Sequence, residues 1–165
     1  MPQLLHAIQL RDVKTVKALL NAGADVNKLS TSNDSSLTMC LNDNILELSD
    51  EQQQILAMLL KHTFLPVTLN AVSTKKRLNP LHLAIQLGDA NLVKTLVDMG
   101  TNVNLLADID YHTPLHLALK LLHHVKRPFL FNDMIQRILL HPEQSQYSLY
   151  QHSAGKLKLN NVLTN

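Results

Sequence analysis

Histidine is the residue type in this sequence that most readily suggests chemistry, with nine copies among 165 residues. His112 and His116 lie four residues apart, a spacing at which two imidazoles on one helix can bind Zn²⁺. Pro114 lies between them and favours a helix that begins only after His112. The two imidazoles therefore need not share a helix face, and the pattern leaves a metal-dependent hydrolase as the least favoured of three hypotheses.

Two short basic clusters could bind phosphate groups. One is Lys75-Lys76-Arg77, and the other runs from His123 to Arg127. Nucleic-acid binding would need a continuous basic stripe and stacking aromatic residues, whereas Asp108 and Asp110 interrupt the positive charge. The chain has 15 Lys and Arg against 13 Asp and Glu, a formal charge of +2. We therefore predict solvated basic loops and no nucleic-acid partner.

Covalent catalysis has one candidate nucleophile of the thiol class, Cys40, the single cysteine. No G-x-S-x-G elbow is present, and four glycines are too few to suggest a phosphate-cradling loop. We predict that the protein is not an enzyme and uses no cofactor and no metal. A lone cysteine also excludes an intramolecular disulfide and favours a reducing compartment.

Hydropathy gives no sign of a membrane partner. No run approaches the roughly 18 apolar residues that span a bilayer, and the first residues lack a basic segment followed by an apolar one. At 45% hydrophobic residues the chain can still bury a core of its own. We expect a cytoplasmic protein that is monomeric by itself.

An internal repeat shows how the chain must be organised. Leu4–Leu29 aligns without a gap on Leu81–Leu106, at an offset of 84 − 7 = 77 residues measured at two alanines. A small residue opens each of four units, at Ala7, Cys40, Ala84 and Ala118. Two of the three spacings between them are near 33 residues, which predicts a solenoid of short helical units.

The motifs within the units resemble those of the ankyrin-repeat family. Its T-P-L-H-x-A signature is intact at Thr113–Ala118, reads Asn79–Ala84 in the third unit and is degenerate at Ser35–Cys40. The closing G-A-D-V-N signature stands at Gly23–Asn27 and, altered, at Gly100–Asn104. Thr68-Leu69-Asn70 is a remnant of the same element after the second unit.

This resemblance implies an all-α solenoid of about four helix-turn-helix repeats joined by short hairpin loops, with two inserted inter-helix loops and a C-terminal extension. We expect a repeat domain over 1–142, with units near 3–29, 30–70, 71–106 and 107–142. The inserted loops fall near Asn42–Asp50 and Leu122–Phe129. Residues 143–165 are expected to form either a capping extension, which we favour, or a disordered tail.

Helical patterning supports these units. Gly23 and Gly100 stand where a left-handed residue would end a helix. The second helices carry apolar residues at helical spacing, and each such stripe needs a neighbouring unit to cover it. These residues are Val16, Leu19 and Leu20; Ile55, Leu56, Leu59 and Leu60; Leu92, Val93, Leu96 and Val97; and Ile135, Ile138 and Leu139.

The resemblance also reassigns the residues that suggested chemistry. His82 and His116 occupy the histidine of the T-P-L-H signature, where the imidazole hydrogen-bonds the turn backbone. Cys40 occupies the small core position, which predicts a buried and unreactive thiol.

Ankyrin relatives bind proteins through the concave surface formed by hairpin tips and the exposed positions of the inner helices. The repeat register assigns this surface here to Gln9, Leu10, Asn42, Asp43, Lys75, Lys76, Arg77, Gln86, Leu87, Ile109, Asp110, Tyr111, His112, Lys120 and Leu121. Tyr111 is the best single anchor candidate because aromatic residues dominate binding hot spots. It also stands where the family usually has glycine.

Three leucines in this set leave two interpretations open. Leu10, Leu87 and Leu121 either form an apolar strip for a partner helix or strand, or are covered by neighbouring hairpins and the inserted loops. The sequence favours neither interpretation.

We therefore expect a non-enzymatic module that binds a protein partner through its concave face and hairpin tips. The degenerate repeats and the scarcity of glycine are similar to the stand-alone ankyrin proteins that intracellular bacteria deliver into host cells. A host-directed effector is the more specific form of this hypothesis. The alternative is a stoichiometric regulator or inhibitor of an enzyme.

Overall fold

The computed structural model describes residues 1–41, 47–75, 77–107, 112–124 and 128–140, without the side chains of 123–124 and 128–131. Within these ranges the chain is helical, and its one β-type contact is an isolated bridge between Ala107 and His112. The helices are α1 Gln3–Gln9, α2 Val13–Asn21, α3 Ser36–Leu41, α4 Asp50–Leu59, α5 Pro66–Leu69, α6 Pro80–Leu87, α7 Ala90–Asp98, α8 Pro114–His124 and α9 Pro128–Leu139.

The helices form antiparallel pairs that stack along the solenoid. Each inner helix packs on its outer partner: α1 on α2, α3 on α4, α6 on α7 and α8 on α9. The inner helices form a continuous row in which α3 contacts α1 and α6, and α6 contacts α8. Outer helix α2 packs on α4, and α7 packs on α9. The predicted all-α solenoid of stacked helix pairs is thus confirmed.

Local signals explain where the helices begin and end. Asp12, Asn79 and Asp89 accept backbone hydrogen bonds as N-caps of α2, α6 and α7. Ser49 and Gln52 form a reciprocal capping box at the start of α4. At the helix ends, the predicted left-handed glycines are confirmed, with φ of 80° at Gly23 and 89° at Gly100.

A single apolar core runs between the units. The predicted stripe residues are buried in it, apart from Leu19, Leu60 and Leu139, which are partly exposed at its edge. The small residues Ala7, Cys40, Ala84 and Ala118 are also buried, so neighbouring inner helices can approach closely. Among the described residues, no helix is both long and apolar enough to cross a membrane.

The insertion expected as a loop over Leu122–Phe129 is different in the structure. Helix α8 continues to His124, and α9 already begins at Pro128, so most of the insertion lengthens the two helices. Leu122 packs against the core, which gives the added turn of α8 an apolar contact. Pro128 can start α9 because a first-turn residue needs no intrahelical N–H bond.

Only part of the first insertion, and none of the C-terminal extension, lies within the described residues. Residues 42–46 of the first insertion, and the whole of 143–165, lie outside the described residues. Asp50 proves to be the first residue of α4 rather than part of the inserted loop.

Asparagines link successive units through side-chain amides. The Leu65 N–H donates to Asn27 Oδ1 at 2.7 Å, and Asn27 Nδ2 donates to the Thr63 carbonyl at 3.2 Å. One unit further, the Asn102 N–H donates to Asn70 Oδ1 at 2.7 Å. Asn70 therefore acts as Asn27 does, and Thr68-Leu69-Asn70 is in register with the closing signature despite its divergence.

Candidate protein-binding face

The first hairpin, Ser30–Asp34, and the second, Ser73–Leu78, are joined to each other near their tips. Asn33 Nδ2, in the first hairpin, donates to the Val72 carbonyl at 2.9 Å. The Ser32 carbonyl accepts hydrogen bonds from both the N–H and the hydroxyl of Thr74, at 2.9 and 3.0 Å. Neighbouring tips are thus held at a fixed separation by links that the sequence analysis did not predict.

The first hairpin is further fixed by a buried carboxylate. Asp34 is 4% exposed, and its Oδ2 accepts a hydrogen bond from the Ser30 hydroxyl at 3.0 Å. The Ser30 Oγ in turn accepts from the backbone N–H groups of Ser32 and Asp34. These bonds close the turn on itself, so the tip is presented as a rigid element.

The residue at the hairpin tip adopts a left-handed backbone. Asn33 has φ of 60° and Arg77, its equivalent in the next hairpin, has φ of 56°. Asparagine tolerates this region, whereas arginine is strained in it. Tyr111 stands at the same place in the third hairpin and lies outside the described residues. Arg77 is exposed and its backbone is strained, and strained residues are often found at functional sites. This combination favours a role for Arg77 in binding.

The inner helices present polar side chains between the hairpins. Gln9, Gln86 and Lys120 are all exposed at equivalent positions of α1, α6 and α8. Lys75 and Arg77 are exposed on the second hairpin, and His112 is half-buried at the base of the third. Six further residues of the predicted surface lie outside the described residues: Asn42, Asp43, Lys76, Ile109, Asp110 and Tyr111.

The three leucines of the predicted surface have different environments. Leu87 and Leu121 are half-buried and pack against the core, whereas Leu10 is 65% exposed. The three leucines therefore do not form one uniformly exposed apolar strip. Leu10 belongs to the first unit, where it is the C-cap residue of α1.

Leu10 instead lines an open hollow of about 340 Å³ on the flank of the first unit, between α1 and α2. At the places where the third unit has Leu83 and Leu92, both buried, this flank has the polar residues His6 and Thr15. The other lining residues are Gln3, Ala7, Asp12 and Leu19. These polar replacements fit a flank that is exposed to solvent, because polar side chains are commonly found on protein surfaces.

The turn between α1 and α2 has a second strained arginine. Arg11 has φ of 56°, and the gap-free alignment places it opposite Gly88, whose φ is 74°. Glu51, in the next unit, has a lowered pKa caused by hydrogen bonds to its own backbone N–H and to Ser49, with a smaller contribution from the positive charge of Arg11. The alignment of Arg11 with Gly88 could have predicted the left-handed backbone at Arg11 from the sequence.

The histidines are arranged as structural residues. His82 is fully buried, and its Nε2 lies 3.0 Å from the His112 carbonyl oxygen in the next hairpin. His116 Nδ1 lies 2.7 Å from the Thr113 hydroxyl, which also caps α8. The ring centroids of His112 and His116 are 6.3 Å apart. Among the described residues, no three metal-ligating side chains converge on one point.

The one thiol also matches its predicted environment. Cys40 is buried at 2% exposure, and its Sγ lies 3.5 Å from the Gln52 carbonyl oxygen. Gln52 Nε2 donates to the Cys40 carbonyl at 2.8 Å, which ties the end of α3 to α4. The thiol is thus enclosed between two helices of one unit, away from the exposed hairpin and inner-helix side chains.

Two comparisons with known proteins agree with this geometry. A family model for ankyrin repeats (3 copies) matches residues 48–127. An ankyrin repeat protein of Fowlpox virus (strain NVSL) is 32% identical over 115 residues, which cover 70% of this chain and 72% of the viral protein. With the stacked helix pairs and linked hairpins described above, these matches show that the chain belongs to the ankyrin-repeat family.

Proposed function

We propose that this protein binds a protein partner through the face formed by its hairpin tips and inner helices, without catalysing a reaction. The observation that carries the proposal is the direct linkage of neighbouring hairpins by Asn33 and Thr74. Two tips that are already ordered bind with a smaller loss of conformational entropy. Ankyrin repeats are in general protein–protein interaction modules, which supports the same conclusion.

The proposed contact residues are those assigned from the repeat register. Gln86 and Lys75 represent the inner helices and the hairpins, and both are exposed. Tyr111 remains the proposed anchor, since a rigid aromatic side chain offers a large contact area with little loss of entropy. We propose the repeat domain as 1–142, with 143–165 as an extension.

Site-specific photocrosslinking would test this assignment. A photoreactive amino acid at Gln86 or Lys75 should capture a discrete partner from lysate of the cell in which the protein acts. The same group at Lys94, exposed on outer helix α7, is the matched control and should not capture that partner. Equal capture from Lys94, or capture from Lys94 alone, would place the interface elsewhere.

A finer form of the proposal is that the partner belongs to a host cell. The degenerate repeats and the small number of glycines support this form, because they are similar to the stand-alone ankyrin proteins that intracellular bacteria deliver into host cells. A translocation reporter fused to the chain, with and without residues 143–165, would test delivery into host cells. No signal from the full-length fusion would exclude delivery by the system used.

The second candidate class is a stoichiometric regulator of an enzyme, which uses the same surface to block an active site. Once a partner is identified, an activity measurement distinguishes a regulator from a module that only binds. If the partner is an enzyme, its activity should change in proportion to added protein and level off at a one-to-one ratio.

A further inference from the structure

The buried His82 ring has oxygen atoms facing both of its nitrogens. Nδ1 lies 2.6 Å from Asn79 Oδ1, and Nε2 lies 3.0 Å from the His112 carbonyl oxygen. The residue is fully buried at the junction between the third unit and the hairpin of the fourth. A carbonyl oxygen can only accept a hydrogen bond, so each contact requires a proton on the ring nitrogen.

The fourth unit shows how the usual threonine avoids this requirement. The Thr113 hydroxyl accepts from the His116 N–H at 3.3 Å and lies 2.7 Å from His116 Nδ1. A hydroxyl can accept one bond and donate another, so it can donate to Nδ1 and leave the proton of a neutral ring on Nε2. Threonine is therefore compatible with an uncharged imidazole.

Asn79 replaces that threonine in the third unit. Its amide oxygen can accept a hydrogen bond from the backbone N–H, but it cannot also donate one to the ring nitrogen. Its Oδ1 accepts the His82 N–H at 2.9 Å as the N-cap of α6, and the same oxygen faces Nδ1. With Nε2 protonated, a neutral ring would place the Nδ1 lone pair against Oδ1. With Nδ1 protonated, it would place the Nε2 lone pair against the His112 carbonyl.

Rotating the amide by 180° does not remove the conflict. Asn79 Nδ2 would then donate to Nδ1 but would face the His82 N–H, which is also a donor. The oxygen would move to the buried place where Nδ2 now has no hydrogen-bond partner among the described residues. Each uncharged arrangement thus leaves at least one unfavourable buried contact, whereas a ring protonated on both nitrogens satisfies both oxygens.

We propose that Asn79 holds His82 as a buried imidazolium, and that this proton ties the third unit to the hairpin of the fourth. Burial disfavours the charged ring, but hydrogen bonds from a charged donor are roughly twice as strong as neutral ones. The contact between His82 and His112 is then sensitive to pH.

The charged and titratable groups on the elements around His82 bear on this balance. Helix α3 offers only the Cys40 thiol, and α7 carries the exposed Lys94–Asp98 ion pair. On the fourth unit are His112, His116 and Lys120. The hairpin before α6 carries the exposed cations Lys75 and Arg77, which disfavour a further positive charge, while Asp108, Asp110 and Tyr111 lie outside the described residues.

One consequence rests on the proposed function. His112, whose carbonyl His82 contacts, is one of the proposed contact residues, so raising the pH until His82 loses its proton should weaken the attachment of His112 to the third unit. The sign follows from linkage: a histidine that gains its partners on folding stabilises the fold fully below about pH 6.5, and this contribution is lost as pH rises through the folded-state titration midpoint.

NMR of the imidazole nitrogens tests the proposal without any partner. In the wild-type protein we expect both nitrogens of His82 to be protonated at pH 7, with a titration midpoint at least about one pH unit above the ordinary value of about 6.5. In Asn79→Thr, which restores the arrangement seen at Thr113, His82 should be neutral at pH 7 with its proton on Nε2. A neutral His82 in the wild type, or equal midpoints in both proteins, would overturn the proposal.

A stability measurement gives a second readout from the same pair. As pH rises from 6.5 to 8.5, the wild type should lose more unfolding free energy than Asn79→Thr does. A pH-independent difference would contradict a titrating His82. Because neither measurement involves a ligand, both remain informative if the concave face proves not to bind a protein.

Discussion

The Leu65 N–H donates a 2.7 Å hydrogen bond to Asn27 Oδ1, so that one side chain of the first unit fixes the backbone that closes the second. Asn27→Ala removes this bond and the one to the Thr63 carbonyl. We expect a loss of about 1–2 kcal/mol of unfolding free energy, because a protein hydrogen bond contributes about 0.5–1.5 kcal/mol net. Chemical denaturation measures this loss, and hydrogen exchange at the Leu65 amide should become faster. Asn21→Ala, at an exposed helix end, should change neither.

Leu96 is fully buried in outer helix α7 and tests the inter-unit core. Leu96→Ala should reduce the unfolding free energy by about 2–5 kcal/mol, since it removes apolar contacts and leaves a cavity. Leu106→Ala is the matched control because Leu106 is 55% exposed, and it should cost much less. Equal effects of the two substitutions in urea denaturation would contradict the described packing.

The left-handed backbone at Arg77 can be tested independently of its side chain. Arg77→Gly and Arg77→Ala both remove the guanidinium, but only glycine adopts the φ of 56° without strain. We expect Arg77→Gly to be more stable than Arg77→Ala by about 1 kcal/mol. If the two variants have equal unfolding free energies, the hairpin tip does not hold a strained residue.

The N-cap of α2 should give a measurable acid dependence. The Thr15 side chain, and then its backbone N–H, donate to Asp12 and hold the pKa of that carboxyl below its ordinary value. Thr15→Val should raise the Asp12 pKa, as followed by NMR of the carboxyl carbon. Thr95→Val removes a threonine hydroxyl that donates to the Asn91 carbonyl in α7, and it should leave the Asp12 pKa unchanged.

The sign of the effect on stability follows from the lowered pKa. Asp12 contributes stability that is present above the unfolded-state pKa of about 3.9 and is lost as pH falls through the lower folded-state pKa. The wild type should therefore lose more stability on acidification than Thr15→Val does. A steeper loss in the variant would contradict the assigned cause.

Much of the fold could be predicted because repetition and local chemistry indicate the same units. The near copy of Leu4–Leu29 at Leu81–Leu106 predicted the helix pairs, and Gly23 and Gly100 predicted their ends. Each of these signals acts within a few residues of the chain. The burial of Cys40 and the backbone contact of His82 followed from the same register.

The contacts between hairpins could not be predicted in the same way. Asn33 and Val72 are 39 positions apart, and a polar residue at a turn gives no indication of which distant carbonyl it reaches. The length of α8 was misjudged because residues 122–124 can continue a helix or form a loop, and packing of Leu122 on the core decides between them. The exposure of Leu10 depends on which neighbours cover it.

Binding of an identified partner, measured by calorimetry, tests the central claim most directly. Gln86→Ala combined with Tyr111→Ala should weaken the affinity at least about tenfold, which corresponds to about 1.4 kcal/mol, while circular dichroism shows an intact fold. Lys94→Ala, on outer helix α7, should bind with the wild-type Kd. An unchanged Kd for the double variant, or an equal loss for Lys94→Ala, would contradict a binding face made of hairpin tips and inner helices.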